Sequence, residues 1–144
     1  MGVATGIISF TVTRVLQSGF QNDKRKDGWE LYHEGANVSN GQFRAEAVPI
    51  LIGDEEKIDG LTMFSIAING KSGGQYLAEY LLKNQEAIPK ELQGKILVFA
   101  DTLCLVGGYL GAPCLYWDGG EWDMRFDGLD DDWDSDSMFV RVCA

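Results

Sequence analysis

Ile8, Phe10 and Val12 alternate with Ser9, Thr11 and Thr13. Period two with β-branched residues predicts a strand over 6–16. A polar basic turn follows at 21–28, with Lys24, Arg25 and Lys26. Residues 29–34 read as a second strand, and the Gly, Asn and Ser of 34–41 as a loop. Phe43, Ala45 and Ala47 alternate with Arg44 and Glu46, which predicts a third strand running to about Ile52. Pro49 cannot donate to a ladder, so this strand is expected at an edge or bulge. Residues 53–60 read as an acidic turn. In 61–68, Ile66 and Ile68 favour strand, whereas Met63/Ala67 and Phe64/Ile68 have helical spacing.

The period then changes. Leu77/Leu81 and Tyr76/Tyr80 are i,i+4 pairs, Ala78 stacks with Leu82, and Ser72 with Gln75 forms a capping box. A helix is expected over 73–86 with Ser72 as its N-cap. Pro89 opens a further short turn and Gly94 ends it. Residues 96–100 read as a buried strand, and Gly107, Gly108 and Gly111 mark a loop. Residues 115–117 and 122–126 face each other across Asp118-Gly119-Gly120, a hairpin signal. Residues 138–143 form the last strand. With no internal repeat and no boundary, the 144 residues read as a single α+β domain: an antiparallel sheet, one main helix, a C-terminal β-hairpin and a final strand.

Composition changes this picture mainly through charge. Net charge is −10. Each phosphate contact needs a cation, so nucleic acid and anionic membrane are disfavoured as partners. A basic protein or a divalent cation is permitted. No apolar run approaches the length of a membrane span. The apolar N-terminus lacks a charged leader and is interrupted by Arg14, so it reads poorly as a signal peptide. Three cysteines, Cys104, Cys114 and Cys143, without CxxC spacing read as free thiols in a reducing cytosol.

The chemistry-bearing motifs are mostly negative. Gly70-Lys71-Ser72-Gly73-Gly74 matches a nucleophile elbow, but the sole histidine, His33, precedes the serine, opposite to hydrolase order. The same segment ends like a P-loop, yet Ser65 stands where the opening glycine is needed. Asp130, Asp132, Asp134 and Asp136 alternate like a calcium loop. However, Ser135 and Arg141 occupy the positions of the turn glycine and the bidentate glutamate. An EF-hand is excluded; an irregular Ca²⁺ site stays open beside a solvated acidic turn. One histidine and no paired cysteines argue against zinc. No metal and no cofactor are expected.

What stands out is the segment 118–136, with nine acidic residues, one basic residue (Arg125) and Trp122 and Trp133; Trp117 adjoins it. Trp117 and Trp122 can pair across the hairpin and read as core. Trp133, amid acids, reads as an exposed anchor. The expectation is a small acidic cytosolic binding protein, not an enzyme. Its contacts with an unknown protein partner, which the charge permits to be basic, are expected from Trp133, Asp127, Asp130, Asp131, Asp132, Asp134 and Asp136. Two alternatives remain: an acidic inhibitor of phage or immunity type that mimics nucleic acid at a basic site, and an enzyme of unrecognised type using carboxylates as acid and base.

The order of motifs resembles a family of small uncharacterised bacterial proteins. The resemblance is carried by Gly28-Trp29-Glu30-Leu31, Val48-Pro49-Ile50-Leu51, and the helix Gly74-Gln75-x-x-Ala78-Glu79-x-Leu81-Leu82-x-x-Gln85-x-x-Ile88-Pro89. It continues through Tyr-x-Trp-x-Gly-x-x-Trp, with Leu115 in place of the tyrosine, and Leu129-Asp130-x-x-Trp133-Asp134. It implies no activity. The closing Gly119-Gly120-Glu121-Trp122 and Phe139-Val140-Arg141-Val142 also resemble the end of C-type-lectin-like and formylglycine-generating-enzyme-like domains. Glu121 stands for the usual Ser and Met138 for the usual Gly. That resemblance implies a ligand-binding face at 127–136.

Overall fold

A computed structural model describes residues 8–12, 24–34, 43–49, 58–59, 73–106, 108–128, 132–133 and 136–143. The strands are β1 (Ile8–Val12), β2 (Glu30–Glu34), β3 (Phe43–Pro49), β4 (Ile58–Asp59), β5 (Ile96–Val98) and β6 (Thr102–Val106). They continue with β7 (Tyr109–Asp118), β8 (Glu121–Gly128), β9 (Asp132–Trp133) and β10 (Ser137–Cys143). Among the described residues, the α-helix α1 (Gln75–Lys83) is followed by 3-10 turns at Gln85–Ala87 and Lys90–Leu92. The fold is α+β. Eight strands form one sheet in the order β1-β3-β10-β5-β7-β6-β2, with β8 also on β7; β4 and β9 pair separately. All pairings are antiparallel except β5 with β10.

β7 organises the sheet. Along one edge it carries β8, from Gly111↔Gly128 to Asp118↔Glu121. Its other edge is shared: β6 pairs at Tyr109–Gly111 and β5 at Cys114–Leu115. Pro113 falls where β5 gives way to β6. Its carbonyl accepts from Phe99 N–H at 2.9 Å, so its nitrogen, which has no proton to give, faces the gap between the two short strands.

Side-chain alternation splits the core in two. On one face, Leu77, Ala78 and Leu81 of α1 pack with Phe10, Ala45, Ala47, Leu97, Phe99, Leu115, Trp122, Met138 and Val140. On the other, Val98, Ala112, Cys114 and Phe139 are buried with Ala100 and Leu103. Neighbours in sequence go to opposite clusters (Leu97 and Val98, Cys114 and Leu115), as the pleat requires. Cys104 and Cys114 are buried.

Several expectations shift. β3 is not an edge strand: it lies between β1 and β10, and Pro49 is tolerated because it is the final residue, beyond the last β1 pair Ile8↔Ala47. Gly111, expected in a loop, belongs to β7, and β6 occupies 102–106, for which the sequence pattern made no assignment. The expected acidic turn contains β4. The helix starts at Gln75, so its N-cap is Gly74 and not Ser72. The first N–H of the helix, that of Gln75, is satisfied across the chain by Thr102 Oγ1 at 2.8 Å. A Cβ on Gly74 would stand 2.6 Å from that oxygen, so the close approach selects glycine. Gly73 ties the helix entry to the sheet: its N–H donates to the Val140 carbonyl at 2.7 Å, and its carbonyl accepts from Asp101 N–H at 3.1 Å. Residues 61–68 and Ser72 lie outside the described residues.

Candidate interaction face

The β7–β8 hairpin builds the face. Gly119 and Gly120 have φ of +61° and +121°, which gives the two-residue turn the positive-φ backbone that matches strand twist. Trp117 then stands opposite Trp122, their rings 5.7 Å apart and nearly perpendicular at 71°. Trp122 is buried and Trp117 half-buried. Trp122 belongs to the core, as the sequence suggests, and Trp117 packs against it.

The hairpin's other face is charged. The directly opposed pairs Tyr116↔Asp123 and Asp118↔Glu121, with Arg125 and Asp127 next along β8, point away from Trp122. Asp118, Glu121, Asp123 and Arg125 are exposed; Tyr116 and Asp127 are half-buried. The Arg125 guanidinium lies 4.7 Å from the Tyr116 ring centroid, and its Nε is 3.0 Å from Asp127 Oδ1. Arg125 is thus engaged by Asp127 and stacked on Tyr116. Three carboxylates, those of Asp118, Glu121 and Asp123, are left facing solvent around a phenol ring. Partial desolvation, then the charges of Asp123 and Asp118, hold the Tyr116 hydroxyl above its ordinary pKa, with Arg125 opposing. Burial, aided by Asp127, pushes the Cys114 thiol well up. A thiol held protonated is a poor nucleophile.

The outer edge of β8 is partly closed by side chains. Gln85 acts as a one-residue strand: its Oε1 accepts from Trp122 N–H at 2.9 Å, and its Nε2 donates to the Trp122 carbonyl at 3.1 Å. Asp123 Oδ1 accepts from the next outward N–H, that of Met124, at 2.9 Å. Edge strands left open invite pairing with other chains, and these contacts limit it.

The expected contact residues are scattered over several elements. Asp127 sits on the charged face, held by Arg125. Asp136 is exposed, and its carbonyl accepts from Ile96 N–H at 2.7 Å at the entry to β10. Asp132 and Trp133 form β9, in register with Asp59 and Ile58 of β4. Asp130, Asp131 and Asp134 lie outside the described residues. Asp118, Glu121, Asp123 and Arg125 fall in the acidic segment 118–136 but, like Tyr116, were not among the expected contact residues. Their signal was present in the alternation of Glu121, Asp123, Arg125 and Asp127 with Trp122, Met124 and Phe126.

Among the described residues, no group of three or more His, Cys, Asp or Glu side chains is placed to hold a metal ion. No described helix is long and apolar enough to cross a membrane. The chain matches no family model, no curated protein and no solved structure.

Proposed function

We propose that the protein is a small cytosolic binding protein, without catalysis, that engages a basic partner protein through the acidic aromatic face of its C-terminal hairpin. The observation that carries this reading is the set Asp118, Glu121 and Asp123 around Tyr116, exposed while Arg125 is neutralised by Asp127. Like charges on adjacent strands repel. Their repulsion is relieved when a cationic surface covers them, and the pleat, the turn and Gln85 fix their spacing in advance.

We extend the face along the chain to Asp130, Asp131, Asp132, Trp133, Asp134 and Asp136, with Trp133 as an aromatic anchor. The resemblance of the closing segment to lectin-like domains supports the same surface. The test is affinity capture with the full chain and with Asp118→Asn/Glu121→Gln/Asp123→Asn, which keeps shape and removes charge. The partner should be retained by the wild type, released by salt as exposed charges are screened, and lost by the variant. Trp133→Ala should also lose it, with little change in folding stability. If Trp133→Ala unfolds the chain, Trp133 is a core residue and the anchor lies elsewhere.

A further inference from the structure

A second cluster lies on the opposite side of β8 from the acidic stripe. Lys24 and Asp27 bound a 3-10 turn, closed where Trp29 N–H donates to the Lys24 carbonyl at 3.1 Å. The turn delivers Trp29, just before β2, against Phe126 of β8. Their ring centroids are 5.5 Å apart and their planes meet at 74°. Phe126 alternates with Arg125 and Asp127, so it projects with Met124 and Trp122 and away from the charged face. Both rings are half-buried. The Lys24 ammonium stands 5.1 Å from the Trp29 ring and 5.6 Å from the Phe126 ring. Asp27 Oδ2 is 3.8 Å from the same nitrogen.

The geometry points to an organic-ammonium site, occupied in this structure by the chain's own Lys24. Two aromatic rings and a carboxylate converging on one cation are the parts that recognise quaternary and methylated ammonium groups. Lys24 is a compact, strongly hydrated ion, and its side chain keeps 26% of its surface exposed, so it gives up only part of its water to enter the corner. A quaternary ammonium has no N–H to solvate and presents methyl groups to both rings. Access is from the turn side, where the Asp27 side chain is 63% exposed. The net charge of −10 raises the local concentration of cations around the whole chain. The ligand class is therefore a methylated ammonium head, borne either by a free small molecule or by a methylated lysine side chain. Lys24 acts as a built-in competitor that leaves when such a head arrives. This site stands independently of the acidic face, which uses the other side of β8.

The test is titration of the full chain with tetramethylammonium chloride, read by Trp29 indole NMR shifts against a sodium chloride control. If Lys24 fills the corner most of the time, removing it multiplies apparent affinity by the inverse of the open fraction. Lys24→Ala should therefore bind tetramethylammonium roughly five- to tenfold more tightly than the wild type. Adding Trp29→Leu to Lys24→Ala should abolish the binding, and Phe126→Leu should weaken it. Choline and a trimethyllysine peptide, titrated in parallel, distinguish the two sources: equal affinity assigns a small molecule, and tighter peptide binding assigns a modified lysine. Equal affinity of wild type and Lys24→Ala overturns the proposal, as does binding that survives Trp29→Leu. A Lys24→Ala chain that melts earlier and takes up no tetramethylammonium also overturns it, because Lys24 then only fastens the turn.

Discussion

At the scale of single residues, the helix entry shows how a distant group can replace a local one. Ser72 and Gln75 spell a capping box, yet Thr102, 27 positions after Gln75, supplies the oxygen. Thr102→Val keeps the shape and removes the acceptor, so it should cost about 1 kcal/mol in chemical denaturation. Ser72→Ala should cost less than Thr102→Val, because Thr102 holds the Gln75 N–H. Gly74→Ala drives a Cβ against Thr102 Oγ1 and should cost about 1–3 kcal/mol by overpacking. A cap of this kind was hidden from sequence reading because it depends on where β6 lands. Cys114 makes a second prediction at this scale. Its thiol pKa is raised by burial and by Asp127, so the folded chain keeps a proton that the unfolded chain gives up near the ordinary value of 9.0. Stability is then intact below that pH and falls as pH rises above it. Urea midpoints at pH 7 and pH 10 should therefore differ less for Cys114→Ala than for the wild type.

At the scale of elements, the hairpin, α1 and β10 were legible because each carries its own local signal. The hairpin has a glycine pair between aromatic runs, α1 has i,i+4 leucines and tyrosines, and β10 alternates between the two core faces. The parallel pairing of β5 with β10 and the β4–β9 ladder carry no such signal, since they join residues far apart in sequence. Gly111, read as a loop glycine, lies inside β7, where a Cβ would meet the Asp127 carbonyl at 3.5 Å, an ordinary contact, so the strand does not depend on glycine there. The register of β10 on β3 is fixed partly by Arg141, whose Nε donates to Glu46 Oε1 at 2.7 Å directly opposite. Gln85 is the element-scale device with the clearest consequence. Gln85→Ala removes two hydrogen bonds to the Trp122 backbone and should cost about 1–2 kcal/mol. It also opens the β8 edge, so light scattering during refolding should increase. Gln85→Glu keeps the acceptor for Trp122 N–H and loses the donor to its carbonyl, so it should fall between the two. Trp122→Ala, which empties a buried site between α1 and the sheet, should cost about 3–5 kcal/mol. Trp117→Ala should cost less, because that ring is only half-buried.

At the scale of the whole molecule, charge and fold act together. Hydrophobic alternation sends Trp122, Met124 and Phe126 inward, so the acids between them are presented outward without any further device. The acidity of 118–136 was visible in the sequence. That Tyr116 and Asp118 of β7 share the face of Glu121 and Asp123 was not, because that depends on the register Trp117↔Trp122. The proposed site around Trp133 is extended in our reading to the acids of the hairpin, whose spacing is set by strand geometry. The most direct test of the account is affinity capture from the native extract with the wild-type chain and with Asp118→Asn/Glu121→Gln/Asp123→Asn, after circular dichroism shows that both are equally folded. The account predicts a basic partner that is retained by the wild type, eluted by added salt and absent from the variant. Equal retention by the folded variant would contradict it.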